Sequence, residues 1–190
     1  MNVIAFLGSP RVDGNSALLL KEAVRAIEEE GYTVRTFNLN MMNIHACQNC
    51  GGCDETGVCV IADDMSEIST AIRAADRIIL ASPIFFFGLS AQSKAMIDRC
   101  QSFWCEKYLL KKPIPAGPFG RKGLLLLVGG MEKTVGMECG NATATAFFRT
   151  ISVPEHAVLS FMGVDARGAI RDHPTALAEA FDAGRSLVSV

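Results

Sequence analysis

The chain has 190 residues, about half of them hydrophobic, a formal net charge of −2 and seven cysteines. This length suits a single domain, residues 1–190, with a sizeable core, and the near-balanced charge argues against a nucleic-acid footprint and against an acidic interaction tail. A small-molecule or protein partner is expected instead.

In chain order, "NVIAFLG" is a β-rich apolar run ending in glycine. It carries no basic leader or small-residue cleavage site, so the chain is expected to stay in the cytoplasm. "ALLLKEAVRAIEEEG" then places Leu20, Ala23, Val24 and Ile27 at helical spacing before Gly31 closes the helix. "YTVRTFNL" makes a second strand, and the cysteine-rich segment, residues 40–62, follows it. "DDMSEISTAIRAA" reads as a helix whose leading acids suit the positive end of its dipole. "DRIILASP" gives strand three. The apolar stretch around it, "IILASPIFFFGL", falls short of the roughly 20 residues a membrane helix needs and is interrupted by Pro83, so no membrane span is expected. Ser90 to Trp104 supports a helix. The Pro/Gly-rich connection "KKPIPAGPFGRKG" leads into "LLLLVGG", a run of the kind found in strands buried on both faces. "ECGNATATAFFRTI" is a helix, "HAVLSFMGV" a fifth strand, and Pro174 opens a last helix with Leu177, Ala180, Phe181 and Gly184 on one face.

Five strands alternating with five helices predict an α/β fold, a doubly wound parallel sheet with right-handed crossovers. Strand order 2-1-3-4-5 fits, with the cysteine-rich segment as an insertion after strand two. Ligands of such a sheet bind beyond the carboxyl ends of strands one and three, at the switch point. Three loops belong there. "GSPRVDGNS" follows strand one: its glycines let backbone approach a ligand at a helix N-terminus, Ser9, Asn15 and Ser16 can donate to phosphate oxygens, and Arg11 can neutralise charge. The bland alternative is a helix capped by Asn15 or Ser16 beside a surface arginine. The loop is neither G-x-G-x-x-G nor G-x4-G-K-[ST], which disfavours a dinucleotide fold and a P-loop nucleotidase. After strand three, "SPIFFFGLSAQSK" offers aromatics to wall a flat ring, with at least one of Phe85, Phe86 and Phe87 expected to fill core. After strand four, "GGMEKTVG" can present backbone N–H groups to the polar edge of such a ring.

Together "GSPRVDGNS", "SPIFFFGLSAQSKAMIDR" and the "GG" after the fourth strand resemble the NADPH-dependent FMN reductase family within the flavodoxin-like fold, over roughly residues 1–135. Cys47, Cys50, Cys53 and Cys59, at C-x2-C-x2-C-x5-C after strand two, are similar to the pattern of the iron-sulfur flavoproteins, which carry FMN and a [4Fe-4S] cluster. The resemblance implies a phosphate site at Ser9, Arg11, Asn15 and Ser16. It implies an isoalloxazine site at Pro83, Ile84, Phe85, Phe86 and Gly88, aided by Gly129, Gly130 and Met131, and a cluster on the four cysteines. Relatives often carry tyrosine where Phe85 stands, so any hydroxyl contact there is lost, and the tail beyond the second glycine resembles nothing distinctive. Homo-oligomers, dimers or tetramers, are implied as well.

Read on its own terms, the cysteine spacing resembles the bacterial ferredoxin run without matching it, since that run ends in C-x3-C-P. Gly51, Gly52 and Gly57 let the backbone curl and leave amides for the sulfurs. Zinc also accepts four thiolates, although its structural sites favour two separated C-x2-C knuckles, and a metal-free thiol or disulfide arrangement is a third option. Cys100, Cys105 and Cys139 are read as buried small hydrophobes, and His45 as a solvated loop histidine. The resulting expectation is a flavin-dependent oxidoreductase with no acid-base constellation, joining a one-electron carrier such as ferredoxin, or NAD(P)H lying against the flavin face, to an acceptor. The alternatives are a cluster-free NAD(P)H-dependent FMN or quinone reductase and a zinc-stabilised interaction module. An oligomer is expected to bring the cysteine loop of one subunit towards the flavin of another, with "IPAGPF" covering part of the interface.

Overall fold

The computed structural model describes residues 1–189. Its strands are β1 (Val3–Leu7), β2 (Val34–Asn38), β3 (Arg77–Phe85), β4 (Gly88–Leu89), β5 (Lys122–Val128) and β6 (Glu155–Phe161). Five of them run parallel in the order β2-β1-β3-β5-β6, and β4 folds back antiparallel on β3. The five parallel strands and their order are those expected from the sequence. The sequence reading missed β4, because two residues carry no periodicity.

The helices are α1 (Asn15–Glu29), α2 (Met65–Ala74), α3 (Ala91–Arg99), α4 (Gln101–Trp104), α5 (Val135–Thr150) and α6 (Ala176–Val188). Where one helix was expected over Ser90–Trp104, the backbone breaks at Cys100, and the chain runs on beyond Trp104 as a π-helical turn, Cys105–Leu109. α1 stops where the sequence says it should. Gly31 takes φ +86°, its N–H reaches the Glu28 carbonyl at 3.0 Å, and the Tyr32 N–H reaches the Ile27 carbonyl at 3.2 Å. These two bonds satisfy carbonyls that the helix end would otherwise leave open.

Period-two alternation sorts each central strand between two cores. On one face, Ile4 and Phe6, Ile78 and Leu80, and Leu125 and Leu127 pack with residues of α2, α3 and α5. On the other, Val3, Ala5 and Leu7, Ile79 and Ala81, and Leu124, Leu126 and Val128 pack with α1 and α6. β5 is buried along six of its seven residues, so "LLLLV" is apolar throughout because both of its faces are covered. Each such leucine contributes roughly 1.5–3 kcal/mol of burial. α6 lies close on α1: a Cβ on Gly184 would fall 2.3 Å from the Ala23 carbonyl oxygen. Among the described residues no helix is long and apolar enough to cross a membrane.

Candidate functional site

All strand carboxyl ends point the same way, so the loops after β1, β3 and β5 meet at one edge. A cavity of about 140 Å³ there is lined by Ser9, Arg11, Gly14, Asn15 and Ser16 from the first loop, Pro83, Ile84 and Phe85 from the second, and Gly129 and Gly130 from the third. It shares Ile84, Phe85, Gly129 and Gly130 with a larger cleft of about 660 Å³ walled by Ile84 to Phe87, Gly129 to Met131, Lys133, Gly136 and Met137. Of the twelve residues expected here, only Gly88 stands outside both walls. It pairs with Phe85 and closes the β3–β4 hairpin.

The first loop is built from its own polar groups. The Ser9 hydroxyl donates to the Arg11 carbonyl at 3.0 Å and accepts from the Arg11 N–H at 3.1 Å, so it shapes the turn. Asn15 donates to the Ala166 carbonyl at 3.0 Å and accepts from the Ile170 N–H at 3.3 Å, which occupies its side chain with the chain's tail. Neither Asn15 nor Ser16 caps α1. The cap is Gly14, no side chain bonds the helix start, and the first turn holds no acid. First-turn N–H groups lacking a side-chain partner, with Arg11 exposed beside them, make a site that favours an anion.

The hairpin overturns the expectation that at least one phenylalanine fills core. Phe85, Phe86 and Phe87 are 50%, 106% and 44% exposed. The two residues of the turn, Phe86 and Phe87, have φ of +48° and +63°, a left-handed pair that matches the twist of a two-residue hairpin but ordinarily selects Asn-Gly. The turn lifts all three rings off the sheet and onto the rim of the cleft. Ile84 faces inward instead, meeting α5 where Gly136 and Gly140 leave space: a Cβ at either would lie 2.9 or 2.8 Å from an Ile84 methyl.

The tail contributes what the sequence reading did not find. Val164, Asp165 and Arg167, just after β6, line the smaller cavity. Arg167 bonds Asp13 of the first loop, its Nε at 2.8 Å, and these hydrogen bonds hold the Asp13 carboxyl below the usual carboxylate range. A Cβ on Gly130 would lie 2.8 Å from Asp165 Oδ1, so the loops after β5 and β6 are in contact. The signal was topological: a fifth parallel strand must deliver its following loop to the same edge.

The cysteine-rich segment forms a second cavity of about 280 Å³, lined by Cys47, Cys50, Cys53 and Cys59 together with Asp54, Arg99 and Gln101. Cys50 is exposed and the other three are half-buried. Gly51 and Gly57, at φ +72° and +70°, make the turns, and the Gly57 N–H closes on the Cys53 carbonyl at 2.8 Å. The loop's stems meet: Asn43 N–H bonds Asp64 Oδ2 at 2.7 Å, and Asp64 N–H bonds the Asn43 carbonyl at 3.1 Å. No three of the four sulfurs lie within 4.8 Å of one another. Among the described residues the group that does is Cys53, Asp54 and Cys105.

Cys100 and Cys105 are buried, as read from the sequence, but Cys139 is exposed on α5. Its helical position faces solvent, between the buried Met137 and Gly140. Cys105 is more than filler. Its sulfur lies 3.7 Å from that of Cys53 and bonds Asp54 Oδ1 at 3.2 Å. Burial first, then the neighbouring Asp54 and Cys53, push its thiol up to about 12. The His45 side chain is exposed, and its backbone N–H bonds Asp63 Oδ2 at 2.9 Å.

A family model described as NADPH-dependent FMN reductase matches residues 1–161. An iron-sulfur flavoprotein of Methanocaldococcus jannaschii is 46% identical over 99 residues, 52% of this chain and 51% of that protein. An iron-sulfur flavoprotein of Archaeoglobus fulgidus is 32% identical over 133 residues, 70% of this chain and 57% of that protein. The chain thus spans about half the length of these relatives. Among solved structures, an NAD(P)H:quinone oxidoreductase from Methanothermobacter marburgensis superposes with a TM-score of 0.73 at 20% identity, over 100% of this chain and 97% of that one. This last likeness establishes the flavodoxin-like fold.

Proposed function

The chain belongs to the NADPH-dependent FMN reductase family, and from that premise we propose that it is a flavin-dependent oxidoreductase holding FMN in the switch-point cleft and a [4Fe-4S] cluster on Cys47, Cys50, Cys53 and Cys59. The observation that carries the reading is the pairing of an uncapped helix start beside Arg11 with a separate cavity lined by four cysteines.

The residues fit the flavin. Arg11 and the first-turn N–H groups of α1 would hold the phosphate, which needs charge-assisted donors. Ser9 and Asn15 support that turn by shaping it and by tying it to the tail. Phe85, Phe86 and Met131 would flank the ring, and Gly129 and Gly130 let backbone come close to its edge. When bound, FMN supplies hydride or single-electron exchange and the cluster single-electron exchange. The protein's part is to bind, orient and exclude water. The open aromatic rim leaves a face for NAD(P)H, while a ferredoxin-like carrier would approach the exposed Cys50 side.

The residues also fit a polynuclear cluster. A single zinc at about 2.3 Å from each sulfur would draw the sulfurs to about 3.8 Å of one another. Four sulfurs around one 280 Å³ cavity, no three of them within 4.8 Å of one another, leave room for a larger inorganic core. One observation favours the zinc reading: Cys53, Asp54 and Cys105 offer three donors to a single ion.

Anaerobic analysis of the purified chain for FMN, iron, acid-labile sulfide and zinc tests the proposal. FMN with iron and sulfide in equal amounts is expected. Zinc without sulfide favours the Cys53–Asp54–Cys105 set, FMN alone the cluster-free reductase. A homo-oligomer that carries the cysteine loop of one subunit towards the flavin of another completes the proposal.

A further inference from the structure

Arg99, the last residue of α3, has no part in the reading above. Its side chain is 1% exposed and meets an Asp63 carboxylate that is 0% exposed, Nη1 to Oδ2 at 2.5 Å and Nη2 to Oδ1 at 3.0 Å. The same two nitrogens reach the carbonyls of His45 at 2.9 Å and Ile61 at 3.2 Å. Asp63 in turn accepts from the backbone N–H groups of His45 at 2.9 Å and Met65 at 3.1 Å. His45 precedes Cys47, and Ile61 follows Cys59. One buried ion pair therefore fastens both stems of the cysteine loop.

Such a pair is a poor device for stability alone, since desolvating two charges offsets most of their attraction. What it provides is geometry: the guanidinium fork fixes where each carbonyl lies. One donor is left over. Arg99 Nε is buried with no hydrogen-bond partner. The side chain forms part of the wall of the four-cysteine cavity and of an adjoining one, and Cys59 is the cysteine that lines both. A buried N–H without an acceptor costs about 1–3 kcal/mol, and a thiolate sulfur is an acceptor.

We propose that Arg99 is a positioning residue for the four-cysteine site, closing the loop through Asp63 and donating its remaining Nε–H to the Cys59 thiolate when the cysteines hold a cluster. The proposal rests on the cluster reading above. It makes the four ligands unequal. Cys59 would sit against a fixed, buried donor, whereas Cys50 faces solvent. A hydrogen bond to a ligand sulfur favours the more negative, reduced state and so raises the reduction potential.

Two variants test this in the full chain. Arg99→Lys keeps the charge but loses the fork and Nε. Arg99→Met with Asp63→Leu removes the pair without stranding a buried charge. Wild type and variants are reconstituted anaerobically, assayed for iron and sulfide, and titrated for midpoint potential. Hydrogen exchange of residues 43–64 is followed in the cluster-free proteins. In each loaded variant the reduction equilibrium is expected to fall about tenfold, a potential lower by ~59 mV for one electron, with faster exchange of the loop. An unchanged potential in a loaded variant overturns the Arg99 assignment, and so does unchanged loop exchange, whether or not the variants load. A wild-type chain that takes up no iron and sulfide overturns the cluster reading itself.

Discussion

The hairpin tip is where stability and binding are expected to pull in opposite directions, and Phe86 isolates the conflict. Its side chain is 106% exposed, so replacement forfeits no buried area. Its backbone stands at φ +48°, a left-handed position that costs an ordinary side chain roughly 1–2 kcal/mol and that asparagine tolerates better. Phe86→Asn should therefore stabilise the FMN-free protein by about 1 kcal/mol, which for a chain of this size raises Tm by roughly 2–4 °C. The same change removes an aromatic ring from the rim of the larger cleft. If that ring flanks the isoalloxazine, its loss should cost about 0.5–1.5 kcal/mol of contact, a weakening of FMN binding of roughly two- to tenfold. Calorimetry of the FMN-free protein and a flavin fluorescence titration read the two effects separately. A lower Tm would show that Phe86 is packed against something in the protein as it assembles, and the strain argument would fall. Unchanged FMN affinity would remove Phe86 from the flavin site.

Arg11→Ala should weaken FMN binding by the roughly 1.5–3 kcal/mol of a charge-assisted hydrogen bond and leave the melting of the FMN-free protein unaltered; unaltered affinity would withdraw the phosphate assignment. Replacing any one of Cys47, Cys50, Cys53 or Cys59 with alanine should abolish or convert the cluster, while Cys139→Ala, on an exposed helical face, should leave iron and sulfide intact. Full iron and sulfide in Cys59→Ala would show the ligand set to be wrong. Burial works against ionising Asp63, but the Arg99 hydrogen bonds and the N–H groups of His45 and Met65 hold its carboxyl below the usual range. Its contribution is thus complete above the ordinary carboxylate pKa of about 4 and is lost as pH falls through the lowered folded value. Protection factors of residues 43–64 in the cluster-free protein, which correct hydrogen exchange for its intrinsic pH dependence, should be flat from neutral pH down to about 5 and should fall below that window; a fall at higher pH would mean another group carries the loop.

What the sequence made legible follows from what is periodic. β5 announced itself because a strand covered on both faces must be apolar at every position, and α1 because its apolar stripe ends at a glycine that takes φ +86°. The four cysteines stood out by spacing alone. The hairpin was illegible for the opposite reason: a Phe-Phe pair carries none of the turn chemistry that asparagine and glycine would supply, so three consecutive aromatics read as core. Cys139 misled in the same way, since helical phase, not residue type, decides which side of α5 it occupies. Asp165 and Arg167 lay beyond any motif, and only the sheet's topology brings them to the first loop. Arg99 was hidden as the closing letter of an amphipathic helix, because nothing local says that an arginine will be buried opposite an aspartate thirty-six positions earlier.

One helix fixes how the two sites stand to each other. α3 is capped by Ser90, whose N–H bonds the Ser82 hydroxyl at 3.1 Å and whose hydroxyl donates to the Gly8 carbonyl at 2.6 Å. Its start is thereby bolted to the ends of β1 and β3, under the cleft. A side chain at Gly8 would have no room, for its Cβ would fall 1.8 Å from Ser93 Oγ. α3 ends at Arg99, which is bolted to both stems of the cysteine loop. Nine residues at about 1.5 Å each set a separation of roughly 13 Å along the helix, and a packed helix does not shorten. Within one subunit the switch-point cleft and the four-cysteine cavity therefore stand apart at opposite ends of a rigid spacer. A second subunit that laid its cysteine loop over the aromatic rim would shorten the path without disturbing either site, and it would also cover three exposed phenylalanines. Reduction of FMN by a reduced cluster should then slow as protein is diluted through the range where the oligomer dissociates. A rate that stays constant through dissociation would assign the route to the subunit's own geometry, along α3, and would sink the role proposed for the oligomer.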